Sequence, residues 1–305
     1  MPPRAILAGG SGFLGRDFAG YLIARGWDVV VLTRSAEGWA GPGRAVAWDA
    51  KTAGPWTEEL DGADALVNFT GRSVNCVHTP ENKRAILESR IDSVRVLGEA
   101  LDRCRRPPPV WVQCASLAIY GNPGDRVCDE TAPHGDDFSA HVCEQWEAAL
   151  VAAPRADTRK VCLRIGLVLG PGGGALGPLV KLARWFLGGT VGSGRQYLSW
   201  IHHDDMNELL AQCISRSELS GIYNACTPQP VPNGEFMRAL RHAVGRPWSP
   251  PAPEWAVRIG ARLVMRTDAD LALTGRRCVP TRLLAQGFEF RHPELARALD
   301  EIVGR

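Results

Sequence analysis

The sequence predicts an α/β protein: a doubly wound parallel sheet wrapped by helices, with a smaller, interleaved second region following it. Three observations predict this. Short β-rich apolar runs alternate with amphipathic stretches through the first half, and a glycine-rich turn joins the first strand to the first helix. After Gly170 the texture changes to glycine- and proline-rich turns, tryptophans and shorter helices. The alternation is what a parallel sheet requires, because each crossover helix covers one face before the next strand begins.

Taken in order, the elements are a strand at 5–8, a helix at 13–25 and strands at 27–33, 45–48 and 65–69. A long helix at 79–104 follows. There Ile86, Ile91, Val94, Leu97 and Leu101 recur at helical spacing and Pro80 sits where a first turn tolerates it. Pro107 to Pro109 stop the chain before a strand at 110–114, and a further strand reads from 161 to 169. Residues 1–169, with a later contribution from about 200–226, form the first domain, and 170–305 the smaller region. The proline clusters at 228–232 and 247–253 read as loops, since apolar helical segments follow each.

A chain of 305 residues, 45% hydrophobic and 22% charged, buries a proper core. Its 35 basic and 33 acidic residues are spread evenly, leaving a net charge of +2 and no run dense enough for a nucleic-acid or membrane footprint. A small-molecule substrate is therefore the expected partner. Nine cysteines form no CxxC pair and no zinc-like spacing, as expected of a reducing compartment. The chain enters an apolar strand within four residues of Met1 and no apolar run approaches the roughly 20 residues of a membrane span. It is expected to be cytoplasmic, or to sit in an organelle matrix after loss of a transit peptide.

The decisive motif is Gly9-Gly10-Ser11-Gly12-Phe13-Leu14-Gly15, directly after the first strand. Gly9 permits the sharp turn, Gly12 lets the backbone approach a pyrophosphate, and Gly15 brings helix and sheet together, so the helix N-terminus meets the anion. The second strand ends in Thr33-Arg34-Ser35, where an acidic residue would otherwise select a free ribose 2′-hydroxyl. Arg34, with hydroxyls on either side, suits a 2′-phosphate, so NADP(H) is expected over NAD(H).

With Asn68-Phe69-Thr70-Gly71 and Ser116-Leu117-Ala118-Ile119-Tyr120-Gly121, the chain resembles the extended short-chain dehydrogenase/reductases, the group of nucleotide-sugar epimerases and dehydratases. Glu88-Ser89-Arg90, Val142 to Glu147, Gly170-Pro171-Gly172-Gly173-Gly174, Trp200-Ile201-His202 and Val279-Pro280 leading to Gly287-Phe288 narrow the resemblance to the atypical epimerase-family subgroup, sometimes labelled cell-division-inhibitor-like. The resemblance spans essentially the whole chain. It implies a Rossmann-type domain with an interleaved substrate region. It also implies NADP(H) held by the glycine motif, Thr33 and Arg34 at the adenosine phosphate, Phe69 and Thr70 on the adenosine or pyrophosphate side, Arg90 at a phosphate and Val168 near the nicotinamide. A homodimer is open, since the helix carrying Ile86 to Leu101 does not reveal whether its outer face is covered.

Extended members carry a serine or threonine near a Tyr-Gly pair, then Tyr-x-x-x-Lys with a glutamate four residues beyond the lysine, and their proton transfer needs all three. Ser116 fits. Registering on Glu147 puts Ser139 at the tyrosine and Cys143 at the lysine, and no Tyr-x-x-x-Lys occurs elsewhere. The subgroup usually reads Ser-Ala-Val-Gly-Tyr-Tyr-Gly, so the serine here is shifted by one and Ile119 replaces the first tyrosine. Tyr120, His141 and Cys143 are the nearest proton donors by sequence; Tyr120 reads equally as a packing residue, His141 as an exposed helix residue, and Cys143 more readily as an inert thiol.

In nucleotide-sugar enzymes an arginine precedes the Ile-His-x-Asp-Asp motif; here Leu198 holds that position and Arg195 lies three residues away, which argues against a nucleotide-sugar substrate. Trp185, Tyr197 and Trp200 suggest an apolar, aromatic pocket, or ordinary core packing. His202, His203, Asp204 and Asp205 read as a helix start at 206–213 rather than a metal site, so no metal is expected. Two functions remain in view: an NADPH-dependent oxidoreductase or epimerase on a small carbonyl compound, and a non-catalytic NADP(H)-binding redox sensor or scaffold.

Overall fold

The computed structural model describes residues 1–154 and 157–304. Its first half runs β1 (Arg4–Ala8), α1 (Phe13–Ile23), β2 (Asp28–Thr33), β3 (Arg44–Ala47), β4 (Ala65–Asn68), α2 (Pro80–Arg103) and β5 (Val110–Ser116). A 3₁₀ turn (Leu117–Tyr120), β6 (Val127–Cys128), α3 (Phe138–Ala152), β7 (Arg159–Ile165) and β8 (Leu167–Leu169) follow. The remainder comprises α4 (Leu176–Arg184), β9 (Tyr197–Leu198), β10 (Trp200–His202), α5 (His203–Ser215), β11 (Gly221–Ala225), β12 (Val231–Pro232), α6 (Asn233–Ala243), α7 (Glu254–Gly260), α8 (Asp270–Leu273), β13 (Arg277–Cys278), α9 (Thr281–Ala285) and α10 (Leu295–Val303).

Seven strands form one sheet in the order β11-β7-β5-β4-β1-β2-β3, every pair parallel. The chain winds outward from β1 to β3, then returns to β4 and winds the other way. That reversal opens a crevice above β1 and β4, where ligands bind in such sheets. Successive side chains of a strand point to opposite faces, and both faces here are apolar. Leu7, Val29 and Val31 join Phe18 and Leu22 of α1 and Leu209 of α5 in one core. Ile6, Val30 and Leu32 join Val94, Leu97 and Leu101 of α2 and Trp146 of α3 in the other. Each large side chain so buried contributes roughly 1.5–3 kcal/mol.

Helix α2 begins as its sequence dictates. Thr79 caps it, its side chain accepting from the Asn82 amide, with Pro80 in the first turn and Arg103 in the last. The stretch 161–169, read as one strand, is two. β7 stays in the main sheet, whereas β8 leaves it to pair with β10. The break falls at Gly166, where a Cβ would stand 2.5 Å from the Ser199 carbonyl oxygen, so only glycine lets the chain turn past β9 and β10. A third core, built from Leu169, Val180, Trp200, Phe236, Leu240 and Leu299, holds the second region together. No helix among the described residues is long and apolar enough to cross a membrane.

Candidate functional site

A groove of about 660 Å³ lies over the C-terminal ends of β1, β2 and β4. Gly9 turns the chain there at φ +68°, in the left-handed region that side chains avoid, and its amide donates to the Leu32 carbonyl at 2.9 Å. A Cβ on Gly15 would fall 2.4 Å from the Cα of Gly10, while nothing stands within 4 Å of one on Gly12. The close packing and the open approach expected of this motif are thus both present. Gly12 caps α1 without any side-chain bond, and no acid sits in the first turn, so the first amides of the helix are free for an anion. Ser11 lines the groove and Phe13 does not. Phe13 turns onto the glycine run after β8, where a Cβ on Gly173 would meet its ring at 2.6 Å, which explains that run, and Leu14 packs against the core.

Thr33, Arg34 and Ser35 line the far end of the groove. Thr33 Oγ1 accepts from the Ser35 amide at 3.3 Å, and Arg34 is exposed with no carboxylate partner among the described residues. Phe69, Thr70 and Gly71 form the wall above β4. Thr70 Oγ1 is buried without any hydrogen-bond partner, and a Cβ on Gly9 would lie 2.6 Å from it. A buried hydroxyl left unpaired costs about 1–3 kcal/mol, so its partner is expected in a ligand. Free helix amides, an orphaned hydroxyl and an unpaired guanidinium together fit a dinucleotide with a 2′-phosphate.

Beyond α2 lies a cavity of about 700 Å³. Ser116, at the tip of β5, lines it and accepts the Ala118 amide at 3.1 Å. Ser139 and Cys143, one turn apart on α3, line it too, so the chain presents a hydroxyl and a thiol there. Burial pushes the Cys143 thiol up to about 12, which keeps it protonated at neutral pH. Arg90 reaches this cavity rather than the groove. It donates to the carbonyls of Ile86 (2.8 Å) and Arg72 (3.1 Å) and lies 5.0 Å from the Trp146 ring, with no carboxylate beside it among the described residues.

Three expected residues sit elsewhere. Tyr120 is fully buried; its hydroxyl donates to Asn224 Oδ1 at 2.8 Å and accepts from Arg164 Nη1 at 2.7 Å. Arg164 in turn grips Glu147 through two bonds of 2.8 Å. Burial pushes the phenol well above its ordinary value, so Tyr120 is a structural pin and not a proton donor facing the cavity. Val168 points into the core from β8, and the cavity wall at this place is Ile165, Gly166 and Leu167. His141 is exposed on α3 and lines neither site.

Leu198 does line the cavity, whereas Arg195 is exposed and lies 3.5 Å from Asp125 on the surface. The expected aromatic lining reduces to Tyr197 and Phe138, because Trp200 is core and Trp185 faces outward. Sequence reasoning missed Arg276, His78 and Asp268, which all line the cavity. His78 Nδ1 stands 3.5 Å from Asp268 and its Nε2 3.2 Å from the Val74 carbonyl, tying the loop before α2 to the segment before α8. His202 caps α5 by accepting the Asp204 amide, and the Asp205 carboxylate accepts from the amides of Arg291 and His292. His202, Asp204, His292 and Glu301 converge within 4.8 Å, and both nitrogens of His292 already face carboxylates.

The sequence model described as the NAD dependent epimerase/dehydratase family matches residues 5–226, and one for a domain of unknown function matches 252–302. The epimerase family protein SDR39U1 of Bos taurus is 36% identical, the alignment covering 98% of this chain and 99% of that protein. Epimerase family protein YfhF of Bacillus subtilis is 30% identical, with 97% of each covered. The crystal structure of human SDR39U1 (isoform 2) with NADPH superimposes with a TM-score of 0.87 at 33% identity, covering 98% of this chain and 99% of that one.

Proposed function

The chain belongs to the NAD dependent epimerase/dehydratase family, and from that premise we propose that it is an NADP(H)-dependent oxidoreductase, or epimerase-like enzyme, acting on a small carbonyl or hydroxyl compound. One observation carries the catalytic half of this reading. The dinucleotide groove is continued, across α2, by a separate cavity of about 700 Å³ into which Ser116 opens. A protein that only bound its cofactor would have no need of that second space.

Thr33, Arg34 and Ser35 hold the 2′-phosphate, the free amides at the start of α1 hold the pyrophosphate, and Thr70 supplies its unpaired hydroxyl beside Gly9. NADP(H), when bound, supplies or accepts the hydride. Ser116 orients the substrate oxygen by hydrogen bonding. Cys143, kept neutral by burial, is the proton donor that the cavity offers in place of the usual tyrosine; an alkoxide is a strong enough base to take a proton from such a thiol. Arg90, with no carboxylate to neutralise it, favours an anionic group at the junction of cavity and groove.

A second reading, a redox sensor or scaffold, is favoured by Ser139 and Cys143 standing where the resemblance to the extended short-chain dehydrogenase/reductases would place tyrosine and lysine. Substrate-dependent oxidation of NADPH across a panel of aldehydes and ketones separates the two. Turnover that Ser116→Ala and Cys143→Ala each reduce supports the enzyme. NADPH bound tightly but oxidised by no member of the panel, together with a partner that binds only one redox form, supports the sensor.

A further inference from the structure

The sequence shows no dense run of like charge, but the fold gathers one surface that is both apolar and basic. Trp185 and Leu187, after α4, are 79% and 61% exposed, and Trp248, Trp255 and Leu263 are 68%, 68% and 73% exposed. These come from two distant segments joined side by side. Ser249 Oγ donates to the Phe186 carbonyl at 2.6 Å, and Val191 bridges Ala252. Helix α7 has no buried residue at all, and Trp255, Ile259 and Leu263 follow at intervals of four through it and the helical turn beyond. So short a helix gains little stability alone, and an apolar stripe left in water points to something that covers it.

Charge identifies the cover. Residues 181–187 and 246–266 carry Lys181, Arg184, Arg246, Arg258, Arg262 and Arg266 against a single acid, Glu254. Of the six, only Arg258 has a carboxylate partner among the described residues. A second copy of this chain docking about a two-fold axis would bring these cations against themselves. A bilayer of anionic phospholipid meets both properties, since tryptophans settle at the headgroup level beside basic side chains. We propose that this face, α7 with the turn at Trp185–Leu187, docks the protein on an anionic phospholipid surface. Arg258 also reaches Asp270 at 3.5 Å, and Asp270 and Leu271 line the cavity, so the docked face is joined to the cavity wall.

The test is flotation of the full chain, loaded with NADPH, with vesicles of phosphatidylcholine alone or mixed with phosphatidylglycerol. Binding is expected only to the mixed vesicles and to weaken with salt. Arg262→Gln with Arg266→Gln should weaken it about thirtyfold, and Trp255→Ser with Leu263→Ser should abolish it. NADPH titration stays unchanged in both variants, which reports that they fold and keeps this test separate from the oxidoreductase reading. No flotation with either vesicle, equal flotation with both, or a dimer that these substitutions dissociate without lipid would each overturn the proposal.

Discussion

The two ends of the site are built differently. The groove is assembled from the ends of β1, β2 and β4 and the start of α1, and its chemistry is largely that of backbone amides held by glycines. The cavity draws on segments from Val74 to Arg276, among them the polar side chains of Ser116, Ser139, Cys143 and Arg90. The geometry of the groove is therefore set by the sheet, which is buried on both faces. The shape of the cavity depends on how distant segments come together.

The contrast is broken most severely in the buried polar network behind the cavity. Glu147 and Arg164 are nearly buried and bond twice to one another, with Tyr120 and Asn224 continuing the network from the turn after β5 to β11. Glu147→Ala leaves an uncompensated guanidinium, at a cost of about 3–5 kcal/mol. Chemical denaturation should show that loss, while the NADPH affinity of the folded fraction stays as it was. A loss below about 1 kcal/mol would mean that Arg164 finds another partner.

Acid should act next. Burial, with the charges of His292 and His203, holds His202 at about 4, below its ordinary 6.5. The unfolded chain then binds the extra proton. This contribution, roughly 3 kcal/mol, is complete above pH 6.5 and is lost as pH falls through 4. His202→Asn keeps a capping oxygen for α5 and removes the titration. Its denaturation midpoint should therefore fall less steeply with acid than that of the parent, and an unchanged slope would assign the acid sensitivity elsewhere.

Arg34→Ala sharpens the comparison from the groove. Removing one charge-assisted contact of roughly 1.5–3 kcal/mol should weaken NADPH by about tenfold to a hundredfold and leave NADH alone. Nicotinamide fluorescence measures both. Equal losses for the two nucleotides would show that Arg34 holds some part they share.

Legibility in the sequence follows the same division. The glycine motif, Thr33-Arg34-Ser35 and the strands beneath them are local, so spacing alone reveals their geometry. Tyr120 could not be read that way. Whether its hydroxyl meets a substrate or Arg164 and Asn224 depends on residues 44 and 104 positions away. Val168 packs into the core because the strand expected at 161–169 breaks at Gly166, where a Cβ would stand 2.5 Å from the Ser199 carbonyl oxygen, a contact no local pattern reveals. His78, Asp268 and Arg276 carry no local pattern, and only the folded chain brings them to one cavity. Ser139 and Cys143, one helical turn apart and so legible as one face from spacing alone, both line the cavity.

Ser116 gives the smallest effect on the fold and the most informative one on function. Its side chain accepts the Ala118 amide and so caps the 3₁₀ turn Leu117–Tyr120, which makes Ser116→Ala worth about 1 kcal/mol of stability. Because Ser116 lines the cavity and not the groove, NADPH affinity should not move. A capping role alone predicts that loss and nothing else. An orienting role predicts in addition that turnover of any accepted carbonyl falls, and that Ser116→Thr, which keeps the hydroxyl, restores part of it. If Ser116→Ala lost its 1 kcal/mol and kept full turnover, the serine would be a cap, and the reacting oxygen would have to be sought nearer Cys143 and Arg90.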